Sequence, residues 1–272
     1  MKAIFSFWSK PYVGSLHKSC AGFPSEHYLK VSFELAILTA RKHFSKIELV
    51  TDTEGADLLV NRFGLNFDHV DLSLNECQDI PSDVWAAGKL KAYSIQKEPF
   101  VHLDYDLFLM KDLPEGFVNG RIIMQSREPF FNHPFYQSGI EQLKLTHKNI
   151  PVEFEMKLNY AFNAGILGGQ DWQALADFGK KAFILIMDNL ENIKRLPKYR
   201  ISEMNVIYEQ AFIACYAAYH DIKVNMLVEN HSLQEDVERV GLVHLLADSK
   251  NNIELCNHME STLKILKGVE GS

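Results

Sequence analysis

The stretch that decides the fold reads PFVHLDYDLFL, from Pro99 to Leu109. An apolar strand, Phe100–Leu103, runs into two carboxylates two residues apart, and a second apolar run follows. If the backbone stays extended, Asp104 and Asp106 project to the same side of the strand. Two oxygen ligands at the end of a buried strand suit a hard divalent cation, Mn²⁺ or Mg²⁺. A solvated acidic corner explains the tripeptide alone equally well, and only its apolar setting favours a site.

The residues before this stretch alternate between strand and helix patterns. Strands are predicted at Ala3–Ser6, Ile47–Thr51 and His69–Leu74, and helices from Ser25 to about Phe44, from Asp52 to near Gly64, and from Ser82 to Lys97. This βαβαβ order, with strands that look buried on both faces, predicts an α/β fold with a mostly parallel, Rossmann-like sheet flanked by helices. Ligands bind such sheets at the carboxyl ends of the strands.

The residues after it are less regular. Strands are predicted at Arg121–Gln125, Ala164–Gly168, Lys223–Val228 and Val240–Leu246, and helices at Trp172–Leu190, Asn205–Tyr219 and Ile253–Leu266. The stretch from Pro129 to Leu158 shows little periodicity and is interpreted as an irregular lid or acceptor-binding insertion. We therefore expect one domain over residues 1–272, with a nucleotide-binding half (1–110) and a sugar- and acceptor-binding half (111–272).

Composition narrows the function classes. The 272 residues are 47% hydrophobic and carry a formal net charge of −7. An acidic chain with no basic block is a poor candidate for binding nucleic acid, or an anionic membrane through overall charge. The four cysteines show no paired spacing and are interpreted as free thiols of a reducing compartment. No apolar run is long enough for a signal peptide or a membrane span, so the expected location is the cytoplasm, or the inner face of the membrane as a peripheral protein.

Two further segments could carry chemistry. In YAFNAGILGG, Tyr160–Gly169, small residues let a ligand approach the backbone, and Asn163 could read hydroxyl groups; the alternative is a strand that ends in a glycine turn. In VHLLADSK, Val243–Lys250, His244 could ligate a metal and Lys250 could meet a phosphate. A surface histidine and a solvated lysine are the alternative there.

Taken in order, the three segments resemble the GT-A nucleotide-sugar glycosyltransferases, nearest to the family 8 group of glycogenin and the lipopolysaccharide galactosyltransferases. FVHLDYDLFL resembles the metal-binding Asp-x-Asp strand of that group, YAFNAGILGG its Phe-Asn-(Ala/Ser)-Gly strand, and HLLADSK its His-x-x-Gly-x-x-Lys segment. Ala247 stands where the family has glycine, and Asn251-Asn252 replaces the usual Pro-Trp. The resemblance is thus to a divergent, bacterial relative.

The resemblance implies a function and a set of site residues. Mn²⁺ or Mg²⁺ would be held by Asp104, Asp106 and His244, and a nucleotide-diphosphate sugar, with UDP favoured, would be the donor. The acceptor would be a glycan or a lipid-linked molecule. The remaining residues implied are the donor-binding Asp52, Lys89, Asn163, Gly165 and Lys250, and the catalytic Glu209 and Asn163. Glu209 would be the base if the mechanism is inverting, whereas the retaining mechanism that the family 8 likeness suggests requires no such base.

Two rival functions stay open. A sugar nucleotidyltransferase uses a similar sheet but normally has a Gly-rich basic loop after the first strand, which Ser6–Ser15 does not resemble. A catalytically inactive, GT-A-like binding or scaffold protein is compatible with the departures at Ala247 and Asn251.

Overall fold

The computed structural model of the protein describes residues 1–13, 20–229 and 234–268. In these ranges the strands are β1 (Lys2–Phe7), β2 (Ile47–Thr51), β3 (His69–Asp71), β4 (Phe100–Leu103), β5 (Leu107–Leu109), β6 (Ile122–Pro129), β7 (Tyr160–Gly169), β8 (Val224–Met226) and β9 (Leu242–His244).

The α-helices of the same ranges are α1 (Ser9–Val13), α2 (Glu26–Ala40), α3 (Thr53–Ala56), α4 (Ala86–Ser94), α5 (Phe135–Thr146), α6 (Trp172–Asp188), α7 (Leu190–Ile193), α8 (Lys198–Val206), α9 (Phe212–Tyr219), α10 (Gln234–Val240) and α11 (Ile253–Leu266). Two π-helical turns, Asp57–Arg62 and Ile207–Ala211, follow α3 and α8 directly. Short 3-10 turns lie at Ser73–Cys77, Phe117–Asn119, Val152–Glu155 and Ala247–Asn251.

The main sheet has seven strands in the order β3-β2-β1-β4-β7-β6-β8. The first four are parallel, β7 runs antiparallel to both β4 and β6, and β8 is parallel to β6. The α/β class and the mostly parallel sheet expected from the sequence are confirmed. The chain runs outward from β1 to β3 and then returns to β4 on the other side of β1, which makes the junction of β1 and β4 a topological switch point.

Helices cover both faces of this sheet, and the strands bury alternate side chains on each. Ile4 of β1 belongs to the core cluster that includes residues of α4, α6 and α9, while its neighbours Ala3 and Phe5 belong to the second cluster, which includes residues of α2 and α11. Because both faces are covered, every residue of β2 and β4 is buried, including Glu48 and His102. None of the described helices is long and apolar enough to cross a bilayer.

Several element boundaries differ from the predicted ones. Ser82 does not cap a helix, because a turn at residues 81–85 precedes α4. The stretch from Pro129 to Leu158 is not irregular: it holds the twelve-residue helix α5, whose Tyr136 is fully buried. The predicted helix Asn205–Tyr219 starts earlier, at Lys198, and contains the π-helical turn.

Candidate metal centre and cleft

A small second sheet brings two distant segments to the end of β4. Strand β5 follows the Asp-x-Asp turn at once and pairs antiparallel with β9, so that Leu107 lies opposite His244. The amide of Leu245 donates to the carbonyl of Asp106 over 3.0 Å and extends the pairing into the turn. As a result one side-chain ligand atom from each of Asp104, Asp106 and His244 lies within 4.8 Å of the others.

The two aspartates converge through a turn, so the extended backbone expected for them is wrong. β4 ends at Leu103, and the amide of Leu107 donates back to the carbonyl of Asp104 over 3.1 Å. The central residue, Tyr105, anchors the turn: its ring stacks on Phe33 with centroids 4.7 Å apart, and its carbonyl accepts from the Ser32 hydroxyl. Because Tyr105 is held on the α2 face, both carboxylates remain at the sheet edge.

His244 is oriented by a side chain that the sequence did not single out. Gln125 lies at an irregularity in the β6–β7 register, and its Oε1 is 2.8 Å from Nδ1 of His244. An amide oxygen accepts, so Nδ1 carries the proton and Nε2 faces the carboxylates, 3.5 Å from Asp106 and 3.8 Å from Asp104. Metal-ligating histidines are commonly fixed in this way.

Gly165 makes room for that histidine. A Cβ at residue 165 would stand 2.2 Å from Oε1 of Gln125 and 2.5 Å from Cε1 of His244. Its carbonyl also accepts from the amide of Asp104. The structure therefore shows a packing role for Gly165 behind the candidate metal centre, and the close approach to a donor implied by the resemblance stays a prediction.

Two lysines flank the carboxylates. Lys89 of α4 lies 2.7 Å from Asp104, and Lys250 lies 2.5 Å from Asp106. Burial alone lowers a lysine pKa, but the carboxylates outweigh it and raise the pKa of both side chains. Burial likewise raises the pKa of Asp106, and the Lys250 ammonium and His244 overcome this and hold it well below its usual range.

Glu209 lies behind Lys89 and is fully buried. Its Oε1 accepts from the Tyr93 hydroxyl over 2.6 Å and is 3.6 Å from the Lys89 ammonium, while Oε2 has no hydrogen-bond partner among the residues that the structure describes. Burial raises the pKa of this carboxyl more than Lys89 and Tyr93 lower it. Glu209 does not line the cleft, so its position does not support the role of a base that takes a proton from an acceptor. Glu209 instead places a carboxyl group next to the Lys89 ammonium from a position outside the cleft lining.

Asn163 reaches the cleft, but both ends of its amide are engaged. Nδ2 donates to Glu128 over 2.8 Å and Oδ1 accepts from the Gly165 amide. Asp52 lies apart from these residues. Its buried carboxylate accepts from the amide and hydroxyl of Ser9 and from the Gly55 amide, where it caps α3. The structure thus shows a capping role for Asp52, and its contact with a donor stays a prediction.

The three candidate metal ligands, the two lysines and Asn163 line one cleft of about 510 Å³ at the β1–β4 switch point. One wall is aromatic and comes from the end of β1 and the start of α1, with Phe7, Trp8 and Tyr12. The opposite wall comes from α8 and the π-helical turn, with Ser202, Val206 and Gln210. Lys89, Asp104, Asp106, Asn163, His244 and Lys250 are among the residues that line the floor and rim.

Local sequence patterns did not indicate several residues that support this site. His102 lies in β4, where the alternation of a strand places it on the same face as Asp104. It is buried, bonded to the Ser6 hydroxyl over 2.8 Å, and 3.8 Å from Asp104. Gln125 and Glu128 gave no local pattern, because their partners lie on other strands.

The fold and the cleft thus define an α/β protein with a candidate metal centre at the carboxyl edge of its sheet. Residues 1–267 match the family of unknown function DUF6734, and the chain belongs to that family. Comparison with curated proteins returns no match.

Proposed function

We propose that the protein is a metal-dependent glycosyltransferase that moves a sugar from a nucleotide-diphosphate sugar to a glycan or lipid-linked acceptor. One observation carries the proposal: Asp104, Asp106 and His244, from two separate segments, share one cleft with Lys89 and Lys250. The third segment of the resemblance contributes Asn163 to the same cleft. The finer assignment of the fold as GT-A belongs to this proposal.

The donor set fits a divalent cation. Ligands 2.0–2.6 Å from a common ion lie at most about 4–5 Å apart, and the three candidate ligand atoms meet that limit. Two carboxylates suit Mg²⁺ or Mn²⁺, and the imidazole favours Mn²⁺ over Mg²⁺. When bound, such an ion supplies Lewis-acid neutralisation of the leaving diphosphate. Gln125 keeps His244 in the tautomer that this requires.

The lysines supply the protein's own cations. Each ammonium group pairs with a candidate metal ligand, and both side chains are 18% exposed at the cleft. A diphosphate that enters the cleft can replace the aspartates as the partner of both lysines. The two ammonium groups then lie where negative charge develops on the leaving group. Metal and nucleotide should therefore bind together more tightly than either binds alone.

The sugar end of the cleft contains amides. Asn163 has a second amide hydrogen to offer a hydroxyl, and Glu128 fixes the plane of the group. Gln210 lines the same region and contacts Tyr136. These amides suit a neutral, hydroxyl-rich ligand.

A second candidate is a binding protein that holds metal and nucleotide without transferring sugar. The burial of Glu209 favours it, because the proposed general base is shut off from the cleft. The same observation is compatible with a retaining transferase, in which no such base is required. Hydrolysis of the donor separates the two candidates.

Thermal unfolding with nucleoside diphosphates and sugar nucleotides, with and without Mn²⁺, tests the proposal. A ligand at 100 times its dissociation constant stabilises the folded state by about 2.7 kcal/mol. For a chain of this size the midpoint should rise by about 5 °C. We expect this rise for the parent with Mn²⁺ and a uridine nucleotide, and its loss in Asp106→Asn.

Glu153→Gln is the matched control. Glu153 is also a buried carboxylate and lies 2.7 Å from a lysine, Lys181, but it is outside the cleft. The control should be destabilised similarly and should still respond to Mn²⁺ and nucleotide. If no nucleotide shifts the parent, or Asp106→Asn responds like the parent, the proposed donor site is wrong. Binding without donor hydrolysis selects the second candidate.

A further inference from the structure

A basic surface borders the α8 wall of the cleft. It consists of residues 144–149, at the end of α5, and residues 188–199, from the end of α6 to the start of α8. Hydrogen bonds join the two segments: the Lys148 amide donates to Oδ1 of Asn189 over 2.7 Å, and Nδ2 of Asn192 donates to the Thr146 carbonyl over 2.8 Å. α5 also packs against α8. The two segments therefore form one continuous patch.

The charge of this patch is opposite to that of the chain. It holds five basic residues against two acids, Asp188 and Glu191, which gives +3, while the other 254 residues carry −10. The basic side chains all belong to exposed residues: Lys144, Lys148, Lys194, Arg195 and Lys198. Glu191 is paired with Lys194 inside the patch. This is a local field that the acidic composition conceals.

Two large apolar side chains stand within the basic surface. Leu145 is 84% exposed and Tyr199 is 62% exposed. A charged surface with protruding leucine and tyrosine side chains is typical of proteins that lie on a lipid interface, where the apolar groups enter the headgroup region. Each side chain comes from a different segment, so the apolar anchor, like the charge, exists only in the folded chain.

The basic surface leads into the cleft along α8. Lys198, Ser202 and Val206 follow one another at four-residue spacing on that helix, and Ser202 and Val206 line the cleft. A molecule anchored in a bilayer under Lys198 would thus meet the cleft wall one or two helical turns further on.

We propose that the basic surface docks the protein on an anionic phospholipid membrane. Lys144, Lys148, Lys194, Arg195 and Lys198 contact the headgroups, while Leu145 and Tyr199 insert. The choice of a lipid-linked acceptor over a free glycan rests on the proposed function. The docking itself does not, since none of these side chains belongs to the metal centre.

Sedimentation with vesicles of phosphatidylcholine alone, or with phosphatidylglycerol added, tests the docking without metal or nucleotide. We expect binding to the anionic vesicles at 50 mM salt, at least tenfold weaker binding at 500 mM, and little binding to neutral vesicles. Lys144→Glu with Lys198→Glu should weaken binding at least tenfold. Leu145→Gln should weaken it while leaving the salt dependence in place.

Lys42→Glu with Lys97→Glu is the matched control. It makes the same change in net charge at two exposed lysines that precede the parallel strands β2 and β4, at the opposite edge of the sheet. It should bind anionic vesicles within twofold of the parent, as should Asp106→Asn, so failure of docking is distinguishable from failure of the donor site. Equal losses in the two double variants overturn the proposal. So does binding to RNA or an acidic protein without binding to vesicles.

Discussion

Asp106 is 4% exposed, and a carboxylate taken that far from water stays ionised only beside compensating charge. Lys250 supplies that charge at 2.5 Å, and its own stem crosses Gly22, where a Cβ would be 3.0 Å from the lysine Cδ. Lys250 thus reaches the site along a path that a glycine leaves open. Burying pairs of this kind costs desolvation without adding much stability, so packing alone does not explain the Lys250–Asp106 pair.

His147 gives a prediction at the same scale but away from the cleft. It is buried between Thr146 and Tyr208, with Nε2 2.6 Å from the tyrosine hydroxyl, and burial lowers its pKa from 6.5 to about 4. The unfolded chain then binds more protons than the folded chain between these two values. Stability is therefore full above pH 6.5 and falls as the pH drops toward 4, by about 2 kcal/mol between pH 7 and pH 5.

His147→Gln should remove that part of the pH dependence. Urea unfolding of parent and variant at pH 5 and pH 7 measures it, and the ten other histidines cancel because both proteins contain them. The variant should lose about 2 kcal/mol less than the parent on acidification. Equal losses in the two proteins would mean that His147 titrates normally in the folded state.

The junction of β2, α3 and α1 depends on Asp52, and the resemblance assigned this residue to the donor. The carboxylate caps α3 and holds Ser9, the residue after Trp8 of the aromatic cleft wall. Asp52→Ala should therefore lower the free energy of unfolding by about 2–4 kcal/mol. Asp171→Ala is the control, since Asp171 caps α6 in a more exposed position and should cost about 1 kcal/mol.

Asp52→Asn separates the structural role from donor binding. Asparagine keeps the cap on the Gly55 amide through Oδ1, but its Nδ2 cannot accept from the Ser9 amide. The variant should therefore lose about 1–2 kcal/mol of stability, less than Asp52→Ala, and bind nucleotide within about twofold of the parent. Urea unfolding and nucleotide titration of the same preparation give both quantities. A stable Asp52→Asn protein that binds nucleotide more than tenfold more weakly would restore the direct contact.

The two halves expected from the sequence, residues 1–110 and 111–272, contribute strands to the same sheets and side chains to the same core clusters. β4 pairs with β7 and β5 with β9, and each of the two core clusters draws residues from before and after residue 110. Neither half can bury its apolar surface alone. We therefore predict one cooperative unfolding transition for the whole chain, and no such transition for a fragment of residues 1–110.

The three tryptophans provide the measurement. Trp8 and Trp85 report on the first half and Trp172 on the second. In Trp172→Phe the fluorescence reports on the first half, and in the double variant Trp8→Phe with Trp85→Phe it reports on the second. Within each variant, the urea midpoint from fluorescence should equal the midpoint from circular dichroism. Separate midpoints would contradict a single unit and indicate two domains that unfold independently.

Much of the fold follows from local patterns. Strands β2 and β4 and helix α11 have the predicted bounds, because short segments rich in apolar residues and the capping residue Asn252 specify them without distant contacts. Prediction failed where tertiary contacts override local preference. After Pro129 the chain shows little periodicity, yet it forms a helix whose Tyr136 is buried in the core. The segment at Tyr105 forms a turn instead of an extended strand, and the Tyr105 ring stacks on Phe33.

By itself, the sequence determined the α/β class, the strand that ends at Asp104, and the residue types that suit a metal and a phosphate. Only the tertiary structure decided which of them meet. The β5–β9 pairing joins residues 133 to 137 positions apart, and Gln125 comes from the irregularity in β6. The same holds for the basic surface, because overall charge is a sum over residues whereas a binding field depends on where they lie. The spacing of residues along a chain predicts local structure only, whereas the hydrogen bonds between strands determine which distant residues meet.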